Sequence, residues 1–184
     1  MSDRQTVASK PTLATVWLDG CSGCHMSFLD MDERILELAG RADLVYSPLV
    51  DRKDFPERVD ITLVEGAVSS EDDLAKIKKV RAHTRVLVSL GDCAVTSNVP
   101  SMRNPFGVKA VIERGYLETV TIPHALPSAV IPRLLERARP VHEVVPVDVF
   151  VPGCPPSADL IFQMLDDLLS GRPAQHDRKG RFGA

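Results

Sequence analysis

The sequence is poor in aromatic residues, which make up 5% of it with a single tryptophan. It lacks an excess of either charge: 22 lysines and arginines stand against 25 aspartates and glutamates, for a formal net charge of -3. A basic face of the kind that binds phosphate backbones is therefore not expected, and nucleic acid is excluded as a partner. No apolar run approaches the roughly 20 residues that span a bilayer, so no membrane span is expected. Met1 to Lys10 contains neither a hydrophobic stretch nor paired arginines. No export signal is visible there, and the expected location is cytoplasmic. Structural disulfides are rare in that compartment. What the chain does have is 184 residues, enough for one domain with a sizeable core, and four cysteines. Four thiols in a reducing compartment point to metal or redox chemistry before they point to bridges.

Short apolar segments alternate with helical ones. Thr12 to Leu18 is β-prone and ends at Asp19-Gly20. Phe28, Met31, Ile35 and Leu38 recur at helical spacing up to a stop signal at Gly40. Asp43 to Tyr46 and Val59 to Val64 read as strands, the second ending at Glu65-Gly66. Ser69 or Ser70 can cap a helix reaching about Ala82, acidic at its start and basic at its end. Arg85 to Leu90 is a fourth strand, closed by Gly91-Asp92-Cys93, and Val147 to Val151 a fifth, closed by Pro152-Gly153-Cys154-Pro155-Pro156. Ser157 can cap a final helix to about Ser170. Thr96 to Gly107 reads as a loop with apolar tips, and 131–138 as a possible helix within a proline-rich stretch.

Strands without polar alternation, separated by helices, form a parallel sheet covered on both faces. The expected fold is α/β: a flavodoxin-like doubly wound parallel sheet of about five strands, in order 2-1-3-4-5. The expected domain is 12–171, with an N-terminal arm at 1–11 and a disordered tail at 172–184.

Cys21 and Cys24 follow the first strand, Cys93 the fourth and Cys154 the fifth. In an open parallel sheet these strand ends share one edge, where ligands bind. Several chemistries use such thiols. Disulfides conflict with the compartment. Structural zinc favours two tight pairs rather than one pair and two singletons. A Cys-x-x-Cys redox pair at Cys21 and Cys24 leaves the other two unused. Cys21-Ser-Gly-Cys24-His25 has the spacing of a c-type haem attachment site, but His25 there also fits a solvated residue in the first helical turn. A [4Fe-4S] cluster needs four thiolates converging from several directions and fits best. Gly20, Gly23, Gly91 and Gly153 would let the backbone turn tightly around it. Pro155 and Pro156 would stiffen the turn after Cys154.

Asp19-Gly20-Cys21-Ser22-Gly23-Cys24, Glu65-Gly66, Gly91-Asp92-Cys93-Ala94 and Pro152-Gly153-Cys154-Pro155-Pro156 also carry a resemblance. As a set they are similar to the small subunit of [NiFe] hydrogenases and to the related cluster-bearing subunit of respiratory complex I. Adjacent cysteines mark the complex I branch, whereas the spacing of Cys21 and Cys24 resembles the hydrogenases. The resemblance covers about residues 12–170. With no visible leader and no cysteine after Cys154, the chain resembles the short, soluble, cytoplasmic NAD-reducing type.

That resemblance implies that Cys21, Cys24, Cys93 and Cys154 ligate one [4Fe-4S] cluster; Gly20, Gly91, Gly153 and Pro155 are expected around it from the turns they allow. It implies a large-subunit partner holding a Ni-Fe centre that splits H2. It further implies diaphorase subunits carrying flavin (FMN), further iron–sulfur clusters and the NAD site. No catalytic residue is then expected on this chain. Glu65 has a structural reading, accepting loop N–H groups, and a functional one, as a proton or partner contact; the structural reading is preferred. The apolar tips Met102, Pro105 and Phe106 are a candidate partner surface. Two other readings stand beside this one. The same scaffold could serve a deazaflavin or heterodisulfide acceptor, or the chain could be a flavodoxin-like FMN-binding electron carrier.

Overall fold

The computed structural model describes residues 9–122 and 125–174. Most of the expected arm and tail, 1–8 and 175–184, lies outside the described residues. The main sheet has five strands: β1 (Thr12–Trp17), β2 (Asp43–Tyr46), β3 (Val59–Glu65), β5 (Thr84–Leu90) and β7 (Val149–Val151). Their order is β2-β1-β3-β5-β7 and every pairing is parallel. Counted along the chain this is the expected order 2-1-3-4-5.

Side chains alternate across each strand, and both faces find apolar cover. Leu13, Ile61, Leu63, Val88 and Leu90 face α1 (Gly23–Leu29), α2 (Arg34–Arg41) and α6 (Ala158–Leu169), packing with Phe28, Met31, Leu38, Ile161 and Met164. Val16, Val64 and Leu87 face the other way, onto Ile77 and Val80 of α3 (Glu71–Ala82) and onto Val141. Burying such side chains contributes about 1.5–3 kcal/mol each.

Both expected caps form. Ser70 accepts from Asp73 N while Asp73 accepts from Ser70 N, closing a capping box at the start of α3. The Ser157 side chain accepts from Leu160 N in α6. The expected first helix is interrupted between α1 and α2 by a turn in which Asp32 has φ 51. Gly40 stands inside α2 rather than ending it.

The region between β5 and β7 departs furthest from expectation. The loop at 96–107 contains a 3-10 turn at Val99–Arg103 and follows the short α4 (Asp92–Thr96). Next come α5 (Gly107–Glu113) and a wider turn to Glu118. The possible helix at 131–138 is instead a strand, β6 (Leu134–Arg139), paired antiparallel with β4 (Val68–Ser70). Leu-Leu-Glu-Arg-Ala-Arg has good intrinsic helix propensity, but tertiary bonds override it. Asn104 clamps the Ala138 backbone on both sides, donating to its carbonyl at 2.9 Å and accepting from its N–H at 2.8 Å. Arg103 donates to the carbonyls of Leu135 at 2.7 Å and Ser69 at 3.1 Å, tying the two strands together.

Met164 is fully buried under the sheet. Met164→Ala is expected to cost about 2–5 kcal/mol in urea unfolding of the protein. Leu36→Ala, at a side chain 76% exposed, is expected to change stability by no more than about 0.5 kcal/mol.

Candidate metal centre

Three loops at one sheet edge build the site. The turn after β1 carries Cys21 and leads into α1 with Cys24. Gly91 and Asp92 after β5 lead into α4 with Cys93. Pro152 and Gly153 after β7 present Cys154. All four cysteines, with Gly23, Glu65, Asp92, Gly153 and Pro155, line one cavity. All four are free thiols, so the disulfide reading fails in this geometry. Cys24 is buried, Cys93 half-buried, and Cys21 and Cys154 are exposed, so the ring opens to the surface on one side. Among the described residues no group of three or more His, Cys, Asp or Glu side chains closes on a single ion.

Close backbone packing shapes the cavity. Gly91 has φ +81, and a Cβ there would overlap the Cys24 sulfur. Gly153 has φ +142, and a Cβ there would lie 2.6 Å from the Pro156 backbone. Only glycine fits both demands at these two positions. Asp92 stitches the second and third loops: its N–H donates to Gly153 O at 2.8 Å and its carboxylate accepts from Gly153 N at 2.7 Å. Ser27 ties α1 to the third loop through a 2.6 Å bond to Pro156 O. Gly20, expected near the site, is not among the lining residues; it packs against Gly66, with 3.3 Å between an ideal Cβ and the Gly66 Cα.

Glu65 ends β3 beside the start of α1. It is 2% exposed, and its carboxylate accepts the His25 backbone N–H at 2.9 Å. The same oxygen is in hydrogen-bond contact with His25 Nδ1. His25, expected as a solvated first-turn residue, is therefore corrected: it is 4% exposed and stacks on Trp17 with ring centroids 5.9 Å apart. Its Nε2 is buried without a hydrogen-bond partner among the described residues. An isolated histidine beside a cysteine gives no sign of burial in sequence. Asp92, within the Gly91-Asp92-Cys93-Ala94 motif, and Asn98, in the loop after it, likewise gain their roles only from the fold.

The electrostatics suit a cationic core. Burial pushes the Cys24 thiol far above its ordinary range, and the neighbouring Glu65 carboxylate and the other three cysteines add to the effect. Burial likewise pushes Cys93 up to about 11, the Val99 backbone N–H working against it. Four thiolates and a carboxylate cannot comfortably share this space alone. A multivalent cationic group ligated by the sulfurs would reverse the penalty, since metal-bound thiols are deprotonated outright. The donor set and the tight cradle thus fit an iron–sulfur cluster. The cavity, about 60 Å³, is far smaller than the about 300–1,000 Å³ of a typical small-molecule pocket. A larger groove of about 450 Å³ between α5 and β6 is mostly apolar, lined by Val108, Ile112, Tyr116 and Ile131, and contains no thiol. It is not the centre of this chemistry.

Comparison with known proteins agrees with this geometry. The model of a family described as NADH ubiquinone oxidoreductase, 20 Kd subunit, matches residues 21–168. The chain is 45% identical over 169 residues to the delta subunit of the NAD-reducing hydrogenase HoxS of Cupriavidus necator, covering 89% of this chain and 81% of the relative. It is 36% identical to a subunit of the F420-non-reducing hydrogenase of Methanothermobacter marburgensis, covering 90% of this chain but only 55% of that relative. A crystal structure of an NAD+-reducing [NiFe]-hydrogenase in the H2-reduced state contains a chain similar to this one. The TM-score is 0.89 at 36% identity, and the match covers 94% of this chain and 98% of that one.

Gly91→Ala is expected to displace Cys24 and abolish the iron content of the purified protein. Gly40→Ala, where a Cβ meets nothing within 4 Å, is expected to leave it unchanged.

Proposed function

The chain belongs to the family described as NADH ubiquinone oxidoreductase, 20 Kd subunit, and within it we propose an electron-transfer small subunit of a soluble, cytoplasmic [NiFe] hydrogenase. The observation that carries this reading is the convergence of four free cysteines, from three loops, on one cavity at the sheet edge. Cys21, Cys24, Cys93 and Cys154 would hold a [4Fe-4S] cluster. When bound, such a cluster accepts and releases single electrons.

The chain's own residues supply the rest. Asp92 and Gly153 lock the two distant loops so that Cys93 and Cys154 keep a fixed separation. Glu65 and His25 fix the start of α1 and with it Cys24. All four cysteines of the sequence line the one cavity, so the proposed cluster would be a single relay station. Its function therefore requires a donor and an acceptor on other chains. A large subunit with a Ni-Fe centre is the proposed donor. Diaphorase subunits with FMN and iron–sulfur clusters, reducing NAD, are the proposed acceptors. The relative from Cupriavidus necator, described as NAD-reducing, supports this acceptor.

Partner contact is proposed on the cysteine side. Cys21 and Cys154 are exposed there, and the nearby chain presents Met26, Val99, Met102 and Phe106, the last two 69% and 71% exposed. Exposed apolar side chains of this kind mark protein–protein surfaces. The described residues contain no helix long and apolar enough to cross a membrane. A second acceptor has support of its own, because a relative from Methanosarcina barkeri, 30% identical, is described as a coenzyme F420 hydrogenase subunit. Purified complex reducing NAD with H2 supports the first reading; activity only with other acceptors favours the second.

Each Cys→Ser variant is expected to lose iron and H2-dependent NAD reduction in the assembled complex. A Cys93→Ser variant that kept both would overturn the ligand set. Glu65→Gln is expected to retain H2/D+ exchange, because the carboxylate acts as a structural anchor. Loss of exchange with iron content intact would instead make Glu65 a proton carrier.

A further inference from the structure

The segment Ser97–Val99 is bent toward the thiols by features the ligand set does not explain. Ser97 ends α4 with φ 65, a left-handed conformation uncommon for a residue with a side chain, and it is buried. Strain of this kind persists where the surroundings over-determine it. The Asn98 carbonyl accepts from Ser101 Oγ at 2.8 Å and Ser101 N at 3.2 Å, which fixes the turn from the other side. Held in this way, the Asn98 side-chain amide donates from Nδ2 to the Cys154 sulfur at 3.5 Å, across 56 positions of sequence. The neighbouring Val99 backbone N–H lowers the Cys93 thiol pKa against the effect of burial. A further donor, Gly23 N, reaches Cys21 at 3.4 Å.

We propose that Asn98 is a potential-setting residue, whose amide hydrogen bond to Cys154 raises the reduction potential of the group held by the four cysteines. This rests on the reading of those cysteines as ligands of a [4Fe-4S] cluster. Reduction places an additional negative charge on the iron–sulfur core and its thiolates. A donor aimed at a sulfur stabilises that extra charge more than it stabilises the oxidised state. Asn98 is a positioning and tuning residue; it need not ligate iron.

The test is a redox titration of the assembled complex, followed by the EPR signal of the reduced cluster. Asn98→Leu keeps the volume and removes the donor. Its midpoint is expected to shift negative, by up to about 59 mV, the one-electron equivalent of a tenfold change in the reduction equilibrium. Asn98→Asp keeps the shape, removes the donor and adds negative charge, and is expected to shift further in the same direction. An unchanged midpoint in either variant at wild-type iron content overturns the proposal. Should both variants lose iron, the unaltered complex carrying 15N-asparagine in this chain decides. A nitrogen coupling to the reduced cluster in ENDOR supports the bond, and its absence overturns it. Wild-type protein lacking iron and acid-labile sulfide would instead overturn the reading of the cysteines, a failure distinct from that of Asn98.

Discussion

The parallel register of β1, β3, β5 and β7 returns the chain to the same sheet edge after every crossover, and the site depends on that return. Cys24 and Cys93 are far apart in sequence, as are Cys93 and Cys154, and no local motif could bring them together. The paired strands do so by ending side by side, with Trp17 beside Glu65, Glu65 beside Leu90, and Leu90 beside Val151. Apolar packing on both faces holds this register. A one-residue slip would reverse the faces of every side chain in the strand. The energy that fixes the site therefore comes from the core, and the loops need only supply the chemistry.

Those loops are less comfortable than the core. They crowd four thiols beside a buried carboxylate and a buried histidine, and burial raises the thiol pKa values at Cys24 and Cys93. Ser97 and Gly91 hold unusual backbone conformations within a few residues of Cys93. A metal-free chain must accommodate all of this at a cost. Ligation of a cationic core would turn the same arrangement into a stabilising one, because it ionises the thiols and gives their charge a partner. In the proposed function, the opening of the ring at Cys21 and Cys154 would face the partner, keeping the protein gap for electron transfer short.

Much of this was legible from the residues alone. The strand order followed from short apolar segments alternating with helical ones, and the shared edge followed from each cysteine standing just past a strand. Helix caps at Ser70 and Ser157 were legible because their hydroxyls act locally. The misses at β6 and at His25 involve contacts between distant segments. Leu134–Arg139 forms a strand because Asn104, Arg103 and the edge at Val68–Ser70 claim its backbone, none of which its own propensity reveals. His25 is buried because Glu65, 40 positions away, receives it. From an ideal Cβ, Gly20 meets the Gly66 Cα at 3.3 Å and the cavity-lining Glu65 carboxylate at 3.7 Å, contacts that its sequence neighbours do not reveal.

The central claim concerns what the four thiols hold. It is tested most directly by iron and acid-labile sulfide analysis of the anaerobically purified complex, combined with EPR after reduction. Four irons and four sulfides assigned to this chain are expected, on the order of one cluster per chain, with a fast-relaxing S = 1/2 signal or its magnetically coupled form. Stoichiometric zinc without sulfide, or a flavin spectrum without iron, would contradict it.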